Sequence, residues 1–161
     1  MKISHFTAVL ILTICSGCST TNYAGKSFSG NEAELNKSIA KSIDLCMLNS
    51  GKFKEKMILA QKEDLKKDLI EYYSLMQNIW SKQSVEFSKL AYEYANKQDP
   101  KYSKQKDAAR GKSIAYEYCS TTAKDARLEA YFYQEVDAIS MLDIVSAQLE
   151  RLSSYQKTLL D

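Results

Sequence analysis

The sequence predicts an all-α fold, an antiparallel bundle of three to five helices, and three observations carry that prediction. Breakers are scarce: Pro100 is the only proline, and Gly111 is the one glycine after Gly51. Stretches that long without turn-forming residues favour helices and argue against a β-sandwich. Apolar residues recur at intervals of three and four, with charged residues filling the other side. The chain has 161 residues, enough for one domain that buries its core without help from a metal.

Residues 1–17 read as a signal peptide. Lys2 supplies a positive start, residues 6–15 (FTAVLILTIC) form an apolar run, and Ser16 and Gly17 are small, the layout of a secretory signal. A membrane span needs roughly 20 apolar residues, more than residues 1–16 supply. The tetrapeptide Cys15-Ser16-Gly17-Cys18 resembles the lipobox of bacterial lipoproteins, in which a Leu, a small residue and a Gly or Ala precede the modified Cys. Ser16, Gly17 and Cys18 match that pattern, and Cys15 stands where the Leu is usual. The resemblance covers residues 1–18 only. It implies cleavage before Cys18, diacylglycerol on the Cys18 sulfur and an acyl group such as palmitate on its new amine. Several chains at about 0.8 kcal/mol per buried CH₂ make a lasting anchor. Ser19 occupies the position where an Asp favours retention in the inner membrane, so the resemblance implies an outer-membrane lipoprotein facing the periplasm. Ordinary secretion, with a cut near Gly17 or later, is the competing reading.

That processing decides the cysteines. Cys15 leaves with the leader and Cys18 carries lipid, so Cys46 and Cys119 are left, and two thiols in an oxidising compartment are expected to pair. Closing the loop between them would stabilise the fold by roughly 4 kcal/mol on the chain-entropy model. A zinc site is disfavoured, because the one histidine, His5, lies in the leader and four N or S ligands are wanted. No cofactor motif is present: there is no GxGxxG, P-loop, HExxH or EF-hand loop.

Residues 18–31 follow as the lipidated Cys and a flexible tether, small and polar, with a reach of about 20 Å. The helical domain then spans 32–161. Its first helix is expected to start at Asn31, with Glu34 completing a capping box, and to carry Leu35, Ile39, Ile43, Cys46 and Met47 on one face. Gly51 is the natural stop. A second helix is expected from Phe53 to Lys97, its apolar line running through Met57, Leu65, Leu69, Tyr72, Met76, Trp80, Phe87, Leu90 and Tyr94. Asp99-Pro100 ends it. A third runs from about Ser103 to Cys119, and a fourth from Ala123 to Thr158 through Leu128, Phe132, Val136, Ile139, Leu142, Val145, Leu149 and Leu152. The period carries through Ser120-Thr121-Thr122, so these two could be one bent helix, although a break or kink there is preferred.

These expectations conflict at one point. A straight second helix would be about 67 Å long and would hold Cys46 and Cys119 some ~50 Å apart, whereas disulfide Cα atoms lie within about 7 Å. The pairing is the stronger inference, so the second helix is expected to break and fold back, near Ser81–Ser84.

Four groups of residues invite a functional reading. Ala91-Tyr92-Glu93-Tyr94 recurs as Ala115-Tyr116-Glu117-Tyr118, symmetrically about residue 105, so a hairpin would bring Tyr92, Tyr94, Tyr116 and Tyr118 face to face. Such an aromatic surface could anchor a protein partner or glycan, but core and boundary packing is the preferred account. Trp80 with Gln77, Asn78 and Gln83 has the composition of a sugar site, and core placement of the Trp is again preferred. Glu129 with Glu135, or Asp137 with Asp143, would need unlike environments across a cleft to act as an acid/base pair; a solvated helix face is preferred. Ser-His and Cys-His nucleophile systems are excluded once His5 leaves with the signal. The stretch from Lys97 to Lys112 is locally basic, with six basic and two acidic residues, and is read as a solvated connection between helices.

Removing Lys2 with the leader leaves 21 basic against 20 acidic residues, a balance that argues against nucleic acid as partner. The leading expectation is a membrane-tethered, non-enzymatic protein-binding lipoprotein, in its sharper form an immunity or inhibitor protein, by analogy of fold alone. A structural lipoprotein self-associating as a coiled coil is the alternative, and an envelope hydrolase using carboxylates ranks last.

Overall fold

The computed structural model describes residues 32–60, 65–133 and 137–160. The leader, the lipobox with Cys18 and the tether lie outside the described residues. Four long helices follow one another: α1 (Glu32–Ala60), α2 (Lys66–Asn96), α3 (Ser103–Phe132) and α4 (Ala138–Leu160). A 3-10 turn, Pro100–Tyr102, precedes α3. The described residues contain no strand, and the fold is an all-α helical bundle closed by a disulfide between Cys46 and Cys119, with Cα atoms 6.3 Å apart.

Named contacts fix the directions. Ser38 donates to the carbonyl of Ala108, and Cys46 reaches Cys119, so α1 and α3 run parallel. Ser84 and Ser113 donate to each other's carbonyls and Ser120 donates to that of Gln77, so α2 runs antiparallel to α3. Gln156 donates to the Ala40 carbonyl and to Asp44, and Lys54 donates to Ser146, so α4 runs antiparallel to α1. The order is up, down, up, down, with α3 packed on all three other helices.

A helix with neighbours on three sides can bury only small side chains on much of its surface. Ala109, Ala115, Ala123, Ala126 and Ala130 of α3 are buried accordingly. At Gly111 an added Cβ would lie 2.7 Å from the Leu35 carbonyl oxygen and 2.8 Å from the Ser38 Cβ, which marks a close approach of α1 to α3. The larger core residues come from the outer helices: Ile43, Leu69, Tyr73, Trp80, Met141 and Leu152. One polar chain crosses the core. The Tyr73 hydroxyl donates to Gln148 Oε1, the Gln148 amide donates to Thr122, and Thr122 donates to the Cys119 carbonyl, so no member is left unsatisfied at high cost.

The helix boundaries correct the sequence reading in three places. Gly51 does not end a helix; α1 passes through it, with nothing within 4 Å of its Cβ position. The interruption that the disulfide requires lies between the end of α1 at Ala60 and the start of α2 at Lys66, and α2 runs unbroken through Ser81–Ser84. The third and fourth expected helices are continuous across Ser120–Thr122, and the break comes instead between Phe132 and Ala138. There Asp137 caps α4, accepting from the backbone and the hydroxyl of Ser140, and those bonds hold its carboxyl below the usual range. Between α2 and α3 the chain turns through Gln98 at φ 51°, and Asp99 accepts from the Lys101 backbone ahead of Pro100. The Asn31 cap and Val136 fall outside the described residues.

Candidate functional site

Large side chains on α1 and α2 flank a concavity. Where α1 meets α3 through Gly, Ala, Ser and Cys, it meets α2 through rings. Phe53 of α1 stacks on Tyr72 of α2 with centroids 3.8 Å apart and planes within 3°. Tyr73 sits edge-on to both. Helices held apart by aromatic rings leave a groove alongside them. The groove encloses about 460 Å³ between Leu45, Asn49, Lys52, Phe53 and Lys56 of α1 and Tyr72, Met76, Ile79, Trp80 and Gln83 of α2, with Tyr116 of α3 at its base. Beyond the stacked pair a second depression of about 420 Å³ continues along the same two helices to Ala60 and Leu65.

Its chemistry is apolar below and basic along one rim. Trp80 and Tyr116 are buried at the floor, while Leu45 and Ile79 remain 47% and 37% exposed on opposite walls. Lys52 and Lys56, one helical turn apart, are exposed on the α1 side. Under the stacked pair, the hydroxyls of Tyr72 and Ser50 are buried without a hydrogen-bond partner. Burial pushes the Tyr72 phenol up, and nearby Ser50 opposes that shift without meeting it in bonding geometry. This array offers no nucleophile, base or charge pair poised on a common point. Among the described residues no three His, Cys, Asp or Glu side chains gather as metal ligands, and no helix is long and apolar enough to cross a membrane.

The residues singled out from the sequence separate. Cys46 and Cys119 are joined. Trp80 is core, as preferred, yet with Gln83 it lines the groove, whereas Gln77 and Asn78 do not. The four tyrosines do not meet face to face. The α2–α3 turn centres near residue 98, not 105, so Tyr92 comes opposite Gln105, and Tyr116 lies about 16 Å further along α3 at 1.5 Å per residue. Tyr94 stacks on Tyr102, Tyr116 on Phe87, and Tyr118 packs on Tyr155. Tyr92 is 69% exposed. Glu129 pairs with Arg151 and Asp143 is exposed, while Glu135 falls outside the described residues. No family model, curated protein or solved structure matches the chain.

Sequence reasoning missed Leu45, Phe53 and Lys52 as parts of one site. The available signal was Leu45 and Leu48 standing off the buried line of α1, large apolar residues on a face that the helix does not bury.

Proposed function

We propose that this protein is a membrane-tethered lipoprotein, anchored through Cys18, that binds a protein partner in the α1–α2 groove and performs no catalysis. The reading rests on one observation above others: a groove with exposed Leu45 and Ile79 on its walls and aromatic residues at its base. Exposed apolar surface in a concavity marks interaction sites. The segment from Leu45 to Ala60 is about 22 Å long at 1.5 Å per residue, which suits four turns of an amphipathic helix presenting apolar anchors at i, i+3 and i+7. Lys52 and Lys56 favour acidic residues along one edge of that helix. An immunity or inhibitor protein, docking a segment of a toxin or lytic enzyme, is the sharper form of this reading. An outer-membrane position facing the periplasm follows from Ser19 by the lipobox resemblance.

The experiment is site-specific photo-crosslinking in cells from position 79, with position 143 on the opposite side as control. We expect one stoichiometric adduct from position 79, mapped to an acidic amphipathic helix and abolished by Leu45→Ser. Adducts only to a second copy of this chain would replace the proposal with self-association. No adduct specific to position 79 would remove the groove as a binding site.

A further inference from the structure

We propose that the tip of the α2–α3 hairpin is a membrane-facing foot that rests on anionic lipid headgroups. It extends the lipoprotein reading, and its argument begins with register. Along the parallel pair α1 and α3, Ser38 lies against Gly111 and Cys46 against Cys119, a constant offset of 73 residues. That offset sets Glu32, where α1 begins, level with Gln105. The hairpin from Tyr92 to Gln105 therefore extends about 10 Å past the level of Glu32, at 1.5 Å per residue. On the other side Gln156 lies against Ala40 and Asp44, so Leu160, the last described residue of α4, comes level with about Ser38. Among the described residues the hairpin tip is thus the outermost part of the bundle at the end where α1 begins.

The length of chain before α1 fits this placement. Residues 19–31 separate Cys18 from Glu32, and a chain of that length can reach about 20 Å. That reach exceeds the distance from the level of Glu32 to the tip, so the tip can touch a bilayer that holds Cys18.

The tip has the chemistry of that surface. Tyr94 and Tyr102 stack at 5.8 Å, and the Lys97 ammonium lies 4.5 Å from the Tyr102 centroid and 5.2 Å from that of Tyr94. Lys101 also lies over Tyr102, and Lys104 and Tyr92 are exposed beside them. Tyrosines with lysines at a protein end are suited to the headgroup layer. Behind the tip the excess continues, giving six basic against two acidic residues over 97–112. Asp99 pairs with Lys101 at 2.8 Å and offsets its charge, and Glu93 also opposes the effect, so the tip itself holds Lys97, Lys101 and Lys104 against two carboxylates. A basic patch beside a lipid anchor is the pairing that anionic membranes attract. This placement also sets the α1–α2 groove, which begins at Leu45, about 20 Å along α1 from Glu32 at 1.5 Å per residue.

The test uses the mature chain purified from cells, its N-terminal peptide mass read first. The chain is placed on nanodiscs of neutral phosphatidylcholine or of phosphatidylcholine enriched in phosphatidylglycerol, and lysine acetylation is quantified residue by residue. We expect Lys97, Lys101 and Lys104 to react several-fold more slowly on the anionic discs, with Lys52 and Lys56 unchanged. Lys104→Gln should weaken the protection about five-fold, and molar salt, where the screening length falls to about 3 Å, should abolish it. An acylated N-terminus with equal reactivity on both discs would overturn the foot and leave the anchor standing. An unmodified N-terminus with phosphatidylglycerol-dependent protection would do the reverse. Equal protection by single-stranded RNA in place of discs would overturn the assignment to lipid.

Discussion

Helix α1 makes two contacts of opposite kind. Towards α3 it presents Ser38, Ser42 and Cys46 to Gly111, Ala115 and Cys119, and the backbones come close enough for Ser38 to bond the Ala108 carbonyl. Towards α2 it presents Phe53, whose ring fills the gap to Tyr72 and leaves open space on either side. Interaxial distance follows the size of the residues at the contact. One helix thus carries a closed seam and an open groove, and side-chain volume decides which is which. Stability should concentrate on the seam and binding on the groove, a division that can be broken experimentally.

The largest effect is expected from the covalent link across the seam. Replacing Cys46 and Cys119 together by Ala opens a loop with a sequence separation of 73 residues, and should cost about 4 kcal/mol. Calorimetry should register a fall in Tm of roughly 10 °C. A change within experimental error, under oxidising conditions that keep the wild-type bridge intact, would mean that the seam is stable without its bond.

The two glycines of the described helices should respond with opposite signs. Ala at 111 would press its Cβ against the Leu35 carbonyl, a backbone atom that cannot swing aside. Overpacking of this kind costs about 1–3 kcal/mol, more than the helix propensity gained. Ala at 51 meets nothing within 4 Å and should stabilise α1 by about 0.5–1 kcal/mol. Urea midpoints of the two variants measure both, and equal shifts would deny that α1 and α3 touch where Gly111 lies.

Those same small residues explain what was legible in the sequence and what was not. The all-α class followed from apolar spacing and absent breakers, and the Cys46–Cys119 pair correctly required that the long second helix be interrupted. The site of interruption was misplaced because Ser and Gly have two uses. Ser84 and Ser120 read as weak points of a helix, yet each bonds a carbonyl of the helix beside it. Small polar residues on a tightly packed face look locally like a turn, and only the neighbouring helix tells them apart. The break before Lys66 carries no glycine, proline or side-chain cap to announce it. The Asp137–Ser140 cap of α4 was visible as residue types but was masked by an apolar period that ran through it. The groove was hidden for another reason. Periodicity identifies the face that a helix buries, whereas a groove arises from how far apart two such faces are held.

Alkaline pH separates the two contacts without mutation. Burial pushes the Tyr73 phenol well above its ordinary value of 10.0, and Tyr72 beside it pushes the same way, with Ser50 opposing. A phenol with a raised folded pKa contributes its full stability below the unfolded value, and loses it as pH climbs towards the folded one, because the unfolded chain releases the proton first. Stability should be level up to about pH 9.5 and lower by about 1.4 kcal/mol from Tyr73 at about pH 11. The urea midpoint of Tyr73→Phe should fall less over that range. An equal fall in both proteins would assign the alkaline loss to residues away from the rings between α1 and α2.

The groove walls should matter more to binding than to stability, and there the contrast with the seam is sharpest. Leu45 and Ile79 are each about half buried, so exchanging both for Ser should cost about 1–2 kcal/mol by urea unfolding, well below the loss of the disulfide. The same exchange should abolish the adduct formed from a crosslinker at Lys52, since a helical partner would lose the apolar anchors on both sides at once. If the double variant were instead strongly destabilised, the walls would belong to the core and the open contact would be structural. If it kept full stability and full crosslinking, the partner would sit elsewhere, and the ring-spaced face of α1 would be a consequence of packing rather than its purpose.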